Sequence, residues 1–140
     1  MAKAGALRLA SLGVTALAIT DPYEGLLTLS SSSNKDVVIA ISHTGRSEVV
    51  IQLLEIARDK GARTVALTNY SDSILADKCE FALVTSFRER RINAAVSTSS
   101  IEQLCMLYAI YFLIAHLQGG RAEQTFLEIE SNAERIIRAK

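Results

Sequence analysis

Only 2 cysteines and 2 histidines occur among the 140 residues. Cys79 and Cys105 stand far apart, with no C-x-x-C pairing and no histidine cluster beside them. The sequence therefore offers neither a zinc site nor a disulfide framework, and no metal or cofactor is expected. So sparing a use of cysteine fits a reducing, cytoplasmic setting. An excess of charge of one sign is also missing: 15 basic residues balance 15 acidic ones. Such neutrality gives no general electrostatic grip on nucleic acid or on an anionic membrane. Long hydrophobic runs are absent too. The longest, "LCMLYAIYFLIA" at 104–115, falls short of the about 20 residues that cross a bilayer, and reads as a helix buried in a core or an interface. The opening "MAKAGALRLASLGVTALAIT" does not read as a cleaved leader. Arg8 and Ser11 interrupt its apolar stretch, and Asp21-Pro22 stands where a small-residue cleavage site belongs. Linkers and internal repeats are lacking as well, so 1–140 reads as a single domain, long enough to bury a sizeable core.

What is present is a regular alternation of helical and strand signals, the pattern of a parallel sheet covered by helices. A helix over 2–12 stops at Gly13, and "VTALAI" at 14–19 reads as a strand. Pro22 opens a short helix through Leu29, and Ser30 to Asn34 form a solvated turn. "DVVIAIS" at 36–42 is a near-continuous β-branched run, as expected of a strand buried on both faces. Val49, Val50, Leu53, Leu54, Ile56 and Ala57 then recur at helical spacing up to Gly61. "RTVALTN" at 63–69 and "FALVTSF" at 81–87 are the remaining strands, with a helical turn opened by Ser73 between them. A helix over 94–116 breaks at Gly119-Gly120 and resumes to the end. The fold class that follows is α/β: a three-layer α-β-α sandwich around a parallel sheet of about four strands, with ligands beyond the carboxyl ends of the strands.

One such end carries "SHTGRS", residues 42–47. The hydroxyls of Ser42, Thr44 and Ser47 and the N–H groups opening the next helix can converge on one anion, aided by the helix dipole. Gly45 lets the backbone approach closely. Arg46, a cation at a helix start, opposes the dipole unless it serves a ligand; a solvated surface charge is its other reading. The competing account of the loop is that Thr44 caps the helix and the serines satisfy turn amides.

The stretch "DVVIAISHTGRSEVVIQLLEIARDKGARTVALTNYSDSILADKCEFALVT" resembles the central part of a SIS domain, the sugar isomerase fold that binds phosphosugars. Its motifs appear in order: a strand with S-x-[ST]-G-x-[ST], then "KGARTVALTN", then "SDSILA" and the strand of "KCEFAL". The tail "VSTSSIEQLCMLYAIYFLIA" is similar to the long helix of RpiR-type transcriptional regulators, whose pattern is roughly S-R-I-x-Q-L-x-x-x-D-x-L-Y. The resemblance implies that Ser42, Thr44 and Ser47 hold a phosphate, with Gly45 and Arg46 in the same loop and His43 and Ser73 near the sugar. There are departures. A SIS domain opens on a strand ending in a G-x-G-x-S loop that forms another wall of the site, and "AKAGALRL" matches the helix after that loop. Ser100 stands where arginine is usual and Tyr108 where aspartate is usual. The resemblance thus implies an N-terminally truncated sensor module without its helix-turn-helix domain. With the central strand missing, direct pairing of 14–19 with 37–42 is expected.

An isomerase needs a general base beside the carbon that loses a proton. Glu89 roughly matches the position of the catalytic glutamate in the isomerase half of glucosamine-6-phosphate synthase, and His43 lies in the loop. Yet Glu89 sits among Arg88, Arg90 and Arg91, as an ion-paired surface carboxylate does. The ionised form they favour suits a phosphosugar contact as well as a base, so Glu89 is counted with the phosphosugar-binding residues. Glu102 reads as solvated, and His116 as complementing the dipole at a helix end. No catalytic residue is assigned. The expected function is phosphosugar sensing in an RpiR-type regulator of carbohydrate metabolism, with a phosphosugar isomerase or a non-binding dimerisation remnant as alternatives. The partners expected are a sugar phosphate and a second copy of the chain, joined through 94–118 and the C-terminal helix, without membrane or direct DNA contact.

Overall fold

The computed structural model describes residues 1–85 and 98–138. Its elements are α1 (Ala2–Ala10), α2 (Pro22–Leu29), β1 (Val37–Ile41), α3 (Glu48–Asp59), β2 (Arg63–Thr68), α4 (Ile74–Lys78), β3 (Phe81–Val84), α5 (Thr98–Gln118) and α6 (Gly120–Arg138). They fall into two compact units, one of Ile19–Leu104 with Met1, the other of Ala2–Ala18 and Cys105–Lys140.

The first unit is a parallel sheet in the order β1-β2-β3. Val37 to Ile41 pair in register with Arg63 to Leu67, and Val65 to Thr68 with Phe81 to Val84. The central strand is the most buried, with Ala66, Leu67 and Thr68 fully enclosed. Against the sheet pack Ile51, Leu54 and Ala57 of α3 and Leu75 of α4, which recur on the inward face of each helix. Asp21 accepts hydrogen bonds from the amides of Tyr23 and Glu24 at 2.9 and 3.0 Å, and Pro22 takes the first helical position, so α2 starts where its sequence dictates. Lys78 pairs with Glu55 and ties α4 to α3; its hydrogen bond holds the Glu55 carboxyl below the usual carboxylate range.

The expected strand over 14–19 is not one: among the described residues the sheet has three strands, and β1 pairs with β2 alone. The local signal is nonetheless realised. Val14, Ala16 and Ala18 are half-buried while Thr15 and Leu17 are exposed, the alternation of an extended chain. Alternation fixes which side chains share a face and leaves open which neighbour supplies the hydrogen bonds, so it cannot make a strand by itself.

The second unit is helical. Arg8 of α1 donates from Nε to the Tyr108 hydroxyl at 3.1 Å, with its guanidinium 5.1 Å from the centroid of that ring. Tyr108, Tyr111 and Phe112 form an edge-packed cluster on α5. Gly119, at φ 55°, ends α5, and α6 begins at the next residue. Of the two settings expected for the apolar run 104–115, a core and an interface, the core is not found among the described residues. Among the described side chains of α5 only Gln103 is enclosed, while Phe112, Leu113 and Leu117 are 63%, 59% and 75% exposed. The helix also outruns that stretch, since Ile101–Gln118 is long and apolar enough to cross a membrane by length and composition alone.

Leu54, 1% exposed between α3 and the sheet, tests this packing. Replacing Leu54 with Ala is expected to destabilise the fold by about 2–5 kcal/mol, read as a lower denaturant midpoint with an unchanged slope.

Candidate ligand-binding site

The parallel ladder between β1 and β2 continues past the strands. Ser42 donates its amide to the Leu67 carbonyl at 3.0 Å, and Asn69 donates its amide to the His43 carbonyl at 3.0 Å. The buried Thr68 hydroxyl reaches the same His43 carbonyl at 3.1 Å. The loop of residues 42–47 is therefore pinned to the end of the central strand by its backbone.

Beyond that point the chain must turn closely over α4. Gly45 adopts φ 61°, where a side chain is strained, and its own space is closed: a Cβ there would lie 2.5 Å from Ser73 Cβ and 3.1 Å from Thr68 Oγ1. Its carbonyl accepts from the Leu75 amide at 3.0 Å. Ser73, 3% exposed, caps α4 through a 3.3 Å bond from the Ala76 amide to its hydroxyl. The loop 42–47 and the α4 start thus clasp each other.

The cap of α3 is Ser47, not Thr44, and its side chain makes no capping bond. Thr44 Oγ1 instead accepts from the Arg46 amide at 3.4 Å, a local turn bond. The account in which Thr44 caps the helix therefore fails. Thr44, Arg46 and Ser47 are exposed and Ser42 is half-buried. The positive end of the α3 dipole and the first amides of that helix lie at the same point. Thr44, Arg46 and Tyr70 line an open cleft of about 160 Å³ beside it. The His43 ring meets Tyr70 edge-on at 5.9 Å, and its buried Nδ1 has no hydrogen-bond partner among the described residues.

Of the residues expected from sequence, Ser42, His43, Thr44, Gly45, Arg46, Ser47 and Ser73 come together, with Ser73 supporting the loop from beneath. Glu89 and its arginine neighbours lie outside the described residues. Sequence reading passed over Thr68, Asn69, Tyr70 and Thr85, all at the carboxyl ends of β2 and β3, and took Glu102 as solvated. Glu102 is half-buried, and its carboxylate accepts from Asn69 Nδ2 at 3.5 Å. The signal that could have found them is the rule that drew attention to Ser42, extended to every strand end. Among the described residues no cluster of three or more metal-ligating side chains occurs.

A parallel sheet packed against helices, with the 42–47 loop at the carboxyl end of β1, defines an α/β domain of the doubly wound type. The SIS domain model matches residues 1–114, and the chain belongs to that family. An HTH-type transcriptional regulator of Thermotoga maritima is 32% identical over 104 residues, covering 74% of this chain and 37% of that protein. The HTH-type regulator RpiR of Escherichia coli is 26% identical over 111 residues, covering 79% and 38%. The chain thus spans well under half the length of these curated relatives. NanR of Vibrio vulnificus, solved as a complex with ManNAc-6P, superposes with a TM-score of 0.83 at 22% identity, over 99% of this chain and 51% of that one. The sugar isomerase domain of an RpiR transcription factor from Sphaerobacter thermophilus gives 0.82 at 23% identity, over 93% and 71%. Both share the fold.

Gly45→Ala probes the loop directly. The added methyl meets Ser73 and the backbone is strained, so a loss of more than about 1 kcal/mol of stability is expected. Chemical denaturation checks it, and an unchanged midpoint would contradict the packing of Gly45 on Ser73.

Proposed function

We propose that this chain is the phosphosugar-binding sensor domain, spanning 1–140, of an RpiR-type transcriptional regulator of carbohydrate metabolism. The observation that carries the reading is the 42–47 loop: three hydroxyls gathered at the start of α3, with the Ser47 side chain unused as a cap. Ser42, Thr44 and Ser47 hold the phosphate with the first amides of α3, and Arg46 supplies a neutralising charge. His43 and Ser73 lie on the sugar side. The names of the regulators in the family and the ManNAc-6P complex of NanR support the assignment. Sensing asks only for differential binding, whereas isomerisation asks for a placed base. The domain works in the cytoplasm, and its balanced charge assigns it no DNA contact of its own.

Calorimetric titration with ManNAc-6P, glucosamine-6-phosphate and their unphosphorylated sugars tests the site. Losing one donor to a charged group costs about 1.5–3 kcal/mol, so Ser47→Ala is expected to weaken binding of the phosphorylated ligand about tenfold or more. Equal affinity for a sugar and its phosphate would remove the basis of the assignment.

The domain pairs with a second copy through α5 and α6. Phe112, Leu113, Leu117, Ile136 and Ile137 are each more than half exposed, and apolar surface on this scale marks an interface. Light scattering at micromolar concentration is expected to give twice the chain mass; a monomer would overturn the pairing.

A further inference from the structure

Asn69 is the junction of the strand ends. Its amide holds the 42–47 loop through the His43 carbonyl. Its side chain joins the other flank: Thr85, 6% exposed at the end of β3, donates its hydroxyl to Asn69 Oδ1 at 2.7 Å. That bond fixes which way the amide faces, and leaves Nδ2 to donate to Glu102 at 3.5 Å. A carboxylate is thereby held beside Asn69 at the end of the central strand, next to the strand end that carries the 42–47 loop.

We infer that Glu102 is the residue that reads the hydroxyls of the ligand, at the end opposite its phosphate. The inference rests on the phosphosugar reading of the 42–47 loop and deepens it. Among the described residues Glu102 accepts one long hydrogen bond, from a neutral amide, which uses a small part of the acceptor capacity of a carboxylate. No cation pairs with Glu102 among the ion pairs of the described residues. Dipole stabilisation does not account for it either, since the first turn of α5 holds no acidic residue and Glu102 comes after it. A half-buried carboxylate so placed accepts from hydroxyl groups and repels a phosphate. It therefore orients the ligand, phosphate in the loop and polyol against α5. Asn69 and Thr85 act through Glu102 as positioning residues.

The test compares Glu102→Gln, which keeps the shape of the side chain, and Thr85→Val with the unaltered chain, by calorimetric titration with inorganic phosphate, ManNAc-6P and glucosamine-6-phosphate. Glu102→Gln is expected to lower affinity for at least one of the two sugar phosphates about tenfold, the loss of one charge-assisted hydrogen bond, and to leave inorganic phosphate unaffected. Thr85→Val is expected to give a smaller loss with the same selectivity. Sugar phosphate affinity unchanged in Glu102→Gln, or a loss shared equally with inorganic phosphate, would overturn the role of Glu102 and leave the phosphosugar reading standing. An unaltered chain that binds neither sugar phosphate would overturn both.

Discussion

The His43 carbonyl is the contact on which the rest of the site depends. It accepts two hydrogen bonds, from the Asn69 amide and the Thr68 hydroxyl, and both donors belong to the end of the central strand. A buried donor left unpaired costs about 1–3 kcal/mol, so the loop cannot leave this position without orphaning two at once. Everything after it follows in sequence: the turn at Gly45, the bond from the Leu75 amide, and the direction in which α3 sets out.

This arrangement divides the hydroxyl groups into two sets. Thr64, Thr68, Ser73 and Thr85 are buried, and each makes a bond within the fold: Thr64 to the Glu80 amide, Thr68 to His43, Ser73 to the Ala76 amide, Thr85 to Asn69. Ser42, Thr44 and Ser47 stand in the loop, where among the described residues only the Thr44 side chain makes a bond, at 3.4 Å. Burial requires the first set to be paired. The second set, at a helix start, is the one the proposed phosphate site draws on.

The parts legible in the sequence were those with a local cause. The β-branched run of β1, the inward stripe of α3 and the Asp21-Pro22 start of α2 each follow from neighbours within a few residues. The 42–47 loop stood out because three hydroxyls and a glycine fall within six residues. The 14–19 segment was misread because a strand needs a partner, which its own pattern cannot name. The competing account that made Thr44 the cap set the start of α3 three residues too early, since the turn at Gly45 comes first and Ser47 takes the cap position. Asn69, Thr85 and Glu102 could not be grouped for a different reason: they lie 16 to 33 positions apart, and it takes the parallel pairing of β2 with β3 and the placement of the start of α5 to bring them together. The apolar residues of α5 show a further gap, since hydropathy reports that a surface avoids water and cannot say whether a core or another molecule covers it.

The same backbone dependence that makes the loop recognisable also limits what it can discriminate. Amide groups at a helix start and hydroxyls on a pinned loop recognise an anion by charge and shape, and any phosphorylated sugar presents the same group to them. Differences between sugars lie at the other end of the ligand, and must be read by side chains that the loop does not contain. Because β2 is central, its last residues touch the loop on one flank and the end of β3 on the other. A side chain held there can respond to the sugar without disturbing the phosphate contacts. In the proposed reading, phosphate and sugar contacts meet at one residue, Asn69, whose amide holds the loop and whose side chain holds Glu102.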